Sequence, residues 1–422
     1  RDLRQDVPGL QNVVTHTIGF TLDLDLLRST AERGGGRYFT TEDTASLAAA
    51  LTDLAESFDE EGGLFAAPTV AVNSFNRTAT LDDVYLSVFE PSETIRWLGN
   101  LKRYRLTVEA TGDAEDPFDI FLEDQDGREA VDPATGFFID ETRSFWSDDP
   151  DGNDPRLGGA ASQLPDPDNR RVYTNIAGGD LNSPGGENRV TVDNALITAA
   201  IVGSPDDERE RVIEWARGKD VLDLDADGVT DEARGDMGDP LHSRPAVVVY
   251  GGTAENPDAT VFVGSNDGYL HAIDARTGEE LWAFIPERLL GRLFGLFTNN
   301  DSATRSYGLD GEITVFIENN DLQPGIGGDE RVLLVFGMRR GGEAVFALDV
   351  TNRSRPRLLW EIDSGDAGLS DLGQTWSPPR VTNVSVNGQQ RRVVMFAGGY
   401  DTGQDNRSFR EDSVGNAIFM VD

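Results

Sequence analysis

The residues whose spacing most directly indicates chemistry are four aspartates in residues 223–231. They occupy positions 1, 3, 5 and 9 of the pattern DxDxDGxxD, which is typical of a calcium-binding loop. Alternate side chains of such a loop turn inward, Gly228 allows the tight turn, and a backbone carbonyl supplies a further oxygen. Four carboxylates this close repel one another unless a cation lies between them. The predicted ligands of a Ca²⁺ ion are Asp223, Asp225, Asp227, Val229 and Asp231.

One position of this loop departs from the usual pattern. Position twelve, where helical calcium hands place a bidentate glutamate, is Arg234. Glu232, Asp236, Asp239 and water are the alternatives for the missing ligand, and we expect a weaker site than a full calcium hand provides. The competing interpretation is that an Asp-rich chain contains the pattern by chance.

A tripeptide that integrin receptors bind follows the loop, in the order Arg234, Gly235 and Asp236. In a chain this rich in all three residue types, a chance match is the favoured interpretation. The nearby loop keeps the alternative open, because a bound cation would order the turn that displays the tripeptide. Residues 234–236 are therefore a candidate receptor-binding site.

The composition limits the classes of partner and of chemistry. The 422 residues carry a formal net charge of −38, which is the wrong sign for a surface that binds nucleic acid directly. Divalent cations suit such a chain better. With no cysteine and three histidines, the chain excludes disulfides and thiolate metal sites, and it makes catalysis by clustered histidines hard to assemble. No apolar run approaches the ~18 residues of a membrane-spanning segment.

The elements that must position the loop are β-strands, and the clearest of them recur. The repeated unit is an apolar strand, a glycine turn, a second strand that ends in aspartate, and a tryptophan on the next strand. First strands cover residues 261–264, 333–337 and 393–398, second strands cover residues 271–274, 346–349 and 418–422, and the tryptophans are Trp282 and Trp360. This pattern is typical of β-propeller blades. Because a few blades cannot bury both of their faces, we expect the chain to be part of a longer propeller.

Other patterns divide the chain into three parts. Residues 1–62 alternate apolar strands with helices, one of them capped by Asp43 or Thr44, which predicts an incomplete α/β domain. Residues 63–235 contain strands of period two, long loops, and a helix expected to begin at Ser204 and end at Gly218. Residues 236–422 contain the blades. The chain begins without methionine or a signal peptide, so we expect an export signal to have been removed or not included.

Several longer runs span most of the chain after residue 65. They are AVNSFNR at 71–77, WLGNLK at 97–102, GDPLHSRP at 238–245, NDGYLHA at 266–272, GMRRGG at 337–342 and FALDVT at 346–351. Together these runs resemble the PilC/PilY family of type IV pilus biogenesis factors and tip adhesins. Residues 1–60 resemble the last strands and helices of a von Willebrand factor A domain, which this family often carries upstream.

The fold implied by this resemblance is multidomain and mainly β. The family is similar to quinoprotein-type propellers, so a partial quinoprotein-like β-propeller is expected at the C-terminal end. A β-rich module and the α/β tail of a von Willebrand factor A-like domain would precede it. Family members can carry a calcium loop just before the propeller, and Asp223, Asp225, Asp227 and Asp231 match that loop.

The function implied by the resemblance is that of a non-enzymatic protein at the pilus tip or the outer cell surface. Such a protein would promote type IV pilus assembly, twitching motility and adhesion, under the control of calcium. Its partners would be minor pilins at the pilus tip and a host or abiotic surface. It would reach the outside of the cell through the periplasm.

Two other classes of function stay open. A quinone-dependent dehydrogenase with the same repeat would need a closed ring and converging Asp, Glu and Arg side chains at its axis. Dye-linked alcohol oxidation with added quinone would reveal it. A propeller scaffold for outer-membrane assembly would instead retain barrel-assembly partners, and no minor pilins, in a pull-down.

Overall fold

The chain folds into two compact units that contain several β-sheets. The computed structural model describes residues 15–20, 24–41, 65–72, 80–110, 118–133, 138–253, 256–300, 305–321, 323, 325–405 and 410–422. The first unit comprises residues 1–64 with residues 131–138, and the second comprises residues 65–130 with residues 139–422. The boundary predicted between residues 235 and 236 lies inside the second unit. The domain limits 1–62, 63–235 and 236–422 stay predictions.

The first unit contains a strand, a helix and a second strand in that order. These are β1 (Thr15–Phe20), α1 (Asp25–Arg33) and β2 (Gly35–Thr41). The two strands pair in parallel, as the alternating pattern predicts, and the helix provides the crossover between them. The predicted helix capped by Asp43 or Thr44 lies outside the described residues. The likeness to a von Willebrand factor A domain stays a prediction.

The second unit is built mainly from strands, with short helices in the connections. Its strands are β3 (Phe65–Val72), β4 (Thr80–Glu90), β5 (Leu98–Ala110), β6 (Phe118–Glu123), β7 (Val172–Tyr173), β8 (Met237–Gly238), β9 (Ala246–Gly252), β10 (Pro257–Gly264), β11 (Leu270–Asp274), β12 (Glu280–Phe284), β13 (Ile313–Glu318), β14 (Arg331–Gly337), β15 (Val345–Asp349), β16 (Arg357–Ile362), β17 (Arg380–Val386), β18 (Gln389–Ala397) and β19 (Ile418–Val421). Its helices are α2 (Gly159–Ser162), α3 (Ala199–Val202), α4 (Arg209–Ala216), α5 (Glu287–Leu290) and α6 (Leu293–Thr298), and two 3₁₀ turns cover Arg339–Gly341 and Thr402–Asp405.

The first sheet of this unit is antiparallel and has the strand order β3-β4-β5-β6. Its first three strands match the predicted segments of period two, but residues 83–89 of β4 are all buried, so both faces of the sheet are covered along that strand. Tyr85 on β4 and Leu101 and Tyr104 on β5 are fully buried. The short strand β8 pairs with the start of β5. This pairing brings the chain segment that follows the acidic loop onto the sheet.

Three antiparallel meanders follow, and each contains one copy of the predicted repeat. They are β9-β10-β11-β12, β13-β14-β15-β16 and β17-β18-β19. The repeated strand pairs are in register at Val261 with Ile273, at Leu334 with Leu348 and at Val394 with Val421. The strands β9, β13 and β17, which precede each pair, were not part of the predicted repeat.

The recurring aspartate at the end of the second strand stabilises the turn that follows. Asp274 Oδ1 accepts hydrogen bonds from the amides of Arg276 and Thr277, at 3.0 and 3.1 Å. Asp349 Oδ1 accepts hydrogen bonds from the amide and the hydroxyl of Thr351, at 3.0 and 2.6 Å. A short acidic side chain at this place satisfies backbone donors that a turn leaves free.

Apolar side chains fill the space between neighbouring meanders. Trp282 is 1% exposed, its ring centroid lies 5.9 Å from that of Phe262, and its Nε1 donates to the Arg353 carbonyl at 2.6 Å. A second cluster, which includes Val335 and Phe396, packs the second meander against the third. Stacked antiparallel meanders are what the repeat predicts. A closed propeller ring stays a prediction.

Candidate metal centre

The acidic loop is closed at its base by a short antiparallel stem. Lys219 pairs with Ala233, the Asp220 amide donates to the Glu232 carbonyl at 2.9 Å, and the Arg234 amide donates to the Gly218 carbonyl at 2.8 Å. Helix α4 leads directly into the stem and is anchored by the buried side chains of Val212, Ile213 and Trp215. Gly218 then takes a φ of 97°, a left-handed conformation that suits glycine and turns the chain into the stem. The stem and helix α4 therefore fix both ends of the loop.

Within the loop, three of the predicted ligands come together. One carboxylate oxygen from each of Asp223, Asp225 and Asp227 lies within 4.8 Å of the other two. Backbone amides hold them in place: Gly228 donates to Asp223 at 3.0 Å and Val229 donates to Asp227 at 2.7 Å. Gly228 has a φ of 88°, as the tight turn of a calcium loop requires. This oxygen-rich arrangement can bind a hard divalent cation.

The other two predicted ligands are placed differently. Asp231 is exposed, and within the described part of the chain it joins neither of the two acidic groups in which carboxylates lie this close. Val229 is 40% exposed, and its amide fixes Asp227. The role of these two residues as ligands stays a prediction.

A second acidic group at the base of the loop contains two residues outside the motif. It consists of Asp220, Asp225 and Glu232, whose oxygens also lie within 4.8 Å of one another. Partial desolvation raises the pKa of Glu232, and the negative charges of Asp227, Asp225, Asp220 and Asp223 raise it further. Sequence reasoning missed Asp220 because it lies three residues before the motif. Only the stem pairing could have shown its proximity to Glu232.

The charged residues of the tripeptide after the loop are engaged within the fold. The Arg234 guanidinium carbon lies 4.4 Å from the Trp215 ring centroid, and Arg234 is ion-paired with Asp236. Arg96 adds a second ion pair to Asp236, at 2.6 Å. Burial alone would raise the pKa of Asp236, but the charges of Arg234 and Arg96 hold it below its usual value. A receptor for residues 234–236 would have to displace these contacts, and receptor binding by Gly235 and its neighbours stays a prediction.

The same contacts explain why position twelve of the loop is not an acidic ligand. Arg234 turns away from the loop and stacks on Trp215, so its side chain joins the stem to the core. A cavity of about 540 Å³ opens beside the loop. Asp220, Asp225 and Glu232 line it together with Arg96 and Arg234. The acidic groups are therefore accessible to ions from solvent.

A separate cluster of polar side chains has the atomic order of a hydrolase triad. Ser265 Oγ lies 3.2 Å from His271 Nε2, and His271 Nδ1 lies 2.7 Å from Glu280 Oε1. Ser265 and His271 are each 1% exposed, however, and Ser265 also donates to the Asp267 carboxylate. Arg170 donates to both oxygens of Glu280, at 2.6 and 3.0 Å. In this buried position the cluster is a structural network in which Glu280 lies between Arg170 and His271.

Comparison with known proteins gives several partial matches. No protein-family model matches the chain. A type IV pilus biogenesis factor PilY1 homolog of Xylella fastidiosa is 39% identical over 140 residues, which is 33% of this chain and 11% of that protein. Type IV pilus biogenesis factor PilY1 of Pseudomonas aeruginosa strain UCBPP-PA14 is 33% identical over 193 residues, which is 40% of this chain and 15% of that protein. The matched stretches therefore span a small part of these relatives.

A solved structure is also similar to the chain over a limited stretch. It is the crystal structure of the Pseudomonas aeruginosa PilY1 C-terminal domain, 29% identical, with 35% of this chain and 26% of that chain covered. The TM-score is 0.26. The sequence matches alone carry the assignment. They confirm the resemblance that the motifs predict: over the matched third or more of its length, this chain is homologous to the type IV pilus biogenesis factors named PilY1.

Proposed function

We propose that the protein acts in type IV pilus biogenesis, at the pilus tip or on the outer cell surface. The observation that carries this proposal is the homology to proteins named type IV pilus biogenesis factors, at 33–39% identity over the matched residues. None of the helices in the described ranges is long and apolar enough to cross a membrane. The partners would be minor pilins and a host or abiotic surface. The role would include twitching motility and adhesion. The proposal includes no enzymatic step.

Calcium modulation is the second part of the proposal. Asp223, Asp225 and Asp227 present three carboxylates on a loop that a stem and helix α4 hold in place. A divalent cation would remove the repulsion between these groups and order the loop. The stem continues into Arg234 and Asp236, and Asp236 is ion-paired with both Arg234 and Arg96, which lies just before strand β5 of the first sheet. Cation binding would thereby stabilise the junction between that sheet and the first meander.

The propeller belongs to the same proposal. The three meanders, which pack through apolar clusters, would be adjacent blades, and further blades would complete a ring. Such a ring would present loops on a wide face, which suits a protein that binds other proteins at an exposed tip.

The cellular role is tested by deleting the gene and counting surface pili by electron microscopy. We expect few pili and no twitching zone, with both restored by the full-length gene. Full piliation and normal twitching in the deletion strain would refute the proposal. A strain whose only change is Asp225→Ala with Asp227→Ala separates the calcium part, since we expect its twitching to lose its dependence on calcium.

The metal site itself is tested by calorimetric titration of the 422-residue chain with Ca²⁺. We expect saturable binding that Asp225→Ala with Asp227→Ala weakens at least tenfold. The matched control is Asp206→Ala with Asp207→Ala, two exposed aspartates of the turn before helix α4, which should bind calcium like the unchanged chain. Equal binding by both double variants would place the ion elsewhere.

A further inference from the structure

The base of the acidic loop contains a buried carboxylate oxygen with no partner. Asp220 is 4% exposed, and its Oδ2 accepts a hydrogen bond from the Leu224 amide at 2.9 Å. Its Oδ1 is buried and has no hydrogen-bond partner among the described residues. Leaving such an oxygen unsatisfied costs about 1–3 kcal/mol, and more when the group is charged. The position therefore calls for a bound cation or water.

The neighbours of this oxygen are acidic, which favours a cation. Asp220, Asp225 and Glu232 place one oxygen each within 4.8 Å of the other two. Oxygens bound to one Ca²⁺ lie about 2.3–2.6 Å from it, so they can be no more than about 5 Å apart. The stem hydrogen bond between the Asp220 amide and the Glu232 carbonyl, at 2.9 Å, fixes two of these three residues relative to each other. The set thus meets the distance requirement of a shared ion.

This set is distinct from the one formed by the motif. Asp223, Asp225 and Asp227 lie at the tip of the loop, and the two sets have only Asp225 in common. The two oxygens of one carboxylate can face two different ions. A single divalent cation would neutralise two of the five carboxylates, whereas two cations would neutralise four.

We propose that Asp220, Asp225 and Glu232 form a second divalent-cation position at the base of the loop, with Asp225 bridging it to the position at the tip. This inference rests on the proposed calcium site at the tip and adds ligands that the motif does not contain. The base position would clamp the stem from the side of the cavity, because Asp220 and Glu232 lie on its two strands. Its ligands are all oxygens, which suits Ca²⁺.

The test counts calcium ions per chain by equilibrium dialysis of the 422-residue protein against radioactive Ca²⁺. We expect two ions in the unchanged chain and one in each of Glu232→Gln, Asp220→Asn and Asp227→Asn. Each amide keeps the size of the side chain and removes its charge. Glu210→Gln, an exposed position on helix α4, is the matched control and should keep two ions.

The outcomes separate this inference from the proposed function. One ion in the unchanged chain, lost in Asp227→Asn and kept in Glu232→Gln, would overturn the base position and leave the tip site in place. Two ions in Glu232→Gln would overturn it as well. No ion in the unchanged chain would refute both sites. If Asp220→Asn fails to fold by circular dichroism, Glu232→Gln decides, because Glu232 is only partly buried.

Discussion

Lys102 is a buried cation on strand β5 that holds a long connection against the sheet. It is fully buried, and its Nζ lies 3.0 Å from Asp151 Oδ2. The same ammonium donates to the carbonyls of Asp151 and Gly152, at 2.6 and 3.0 Å. Burial lowers the pKa of Lys102 despite the opposing effect of Asp151. The Lys102 ammonium thus joins the long connection to the sheet through one ion pair and two hydrogen bonds.

We expect Lys102→Ala to lower the free energy of unfolding by about 3–5 kcal/mol, because it leaves Asp151 buried without its counter-charge. Urea unfolding followed by fluorescence measures this change. The matched control is Lys219→Ala, because Lys219 is the other lysine of the chain and is partly exposed, and it should cost at most about 1 kcal/mol. Similar losses in the two variants would contradict a structural role for the buried pair.

Glu280 is a second buried charge, and its environment predicts a dependence on pH. Burial alone would raise its pKa, but the charge of Arg170 and the hydrogen bond with His271 lower the pKa to about 2, from 4.5 in the unfolded chain. A carboxyl whose pKa is lowered by folding contributes stability that is complete above the unfolded value. That contribution is lost as the pH falls from 4.5 towards 2.

We therefore expect Glu280→Gln to be less stable than the unchanged chain by about 3–5 kcal/mol at neutral pH, since Arg170 then lacks its partner. The difference should shrink as the pH falls below the unfolded pKa of 4.5. Urea unfolding at pH values on both sides of 4.5 measures it. Glu279→Gln, the exposed neighbour, is the control and should show little difference at either pH. A gap that is constant with pH would show that Arg170 does not stabilise the ionised form.

At the residue scale, spacing along the chain predicted some of these groups and could not predict others. Asp223, Asp225 and Asp227 converge because they are close in sequence and alternate, so local geometry decides their placement. Asp220 joins Glu232 only through the stem, and Lys102 meets Asp151 across a long connection. Partners that tertiary folding brings together leave no periodic signal in a single sequence.

At the element scale, the repeat predicted the central strand pairs well because apolar runs and glycine turns are local signals. The outer strands β9, β13 and β17 were not part of the predicted repeat, although β9 and β13 contain the apolar runs AVVVY and ITVFI. The helix expected from Ser204 begins at Arg209 instead. The Ser204 hydroxyl donates to the Pro205 carbonyl at 3.0 Å, so residues 205–208 form a turn before the helix.

The two repeat tryptophans differ in burial, and we expect them to differ in importance. Trp282 is 1% exposed and donates to the Arg353 carbonyl, whereas Trp360 is only partly buried. Trp282→Ala should lower the free energy of unfolding by about 3–5 kcal/mol, because it empties a closed site. Trp360→Ala should cost clearly less. Chemical unfolding of both variants measures this, and equal losses would show that the meanders dock in the same way.

At the scale of the whole molecule, net charge dominates. A formal charge of −38 means that folding brings like charges together across much of the surface. The composition alone predicts this repulsion. The structure shows which acidic groups have a positively charged partner that offsets it. Buried arginines such as Arg96 and Arg170 are paired with acidic groups, whereas among the residues that the structure describes no arginine is ion-paired with the loop at 223–227.

We expect added salt to raise the melting temperature when calcium is removed by a chelator. Raising the ionic strength from about 0.01 M to about 0.15 M shortens the Debye length from about 30 Å to about 8 Å, which screens the self-repulsion. Scanning calorimetry in sodium chloride and in choline chloride measures this. The same rise in both salts indicates screening, and an unchanged or lower melting temperature would show that surface ion pairs outweigh the repulsion.

The stem below the acidic loop has a mechanical consequence. Because Gly218 and Arg234 are joined by a backbone hydrogen bond, tension along the chain passes across the stem and bypasses residues 221–231. When the stem ruptures, the 16 residue steps from Gly218 to Arg234 can extend to about 53–58 Å, against about 5 Å across the paired stem, so the chain would lengthen by about 50 Å. The loop would therefore extend in one step, at the force that breaks the hydrogen bonds of the stem.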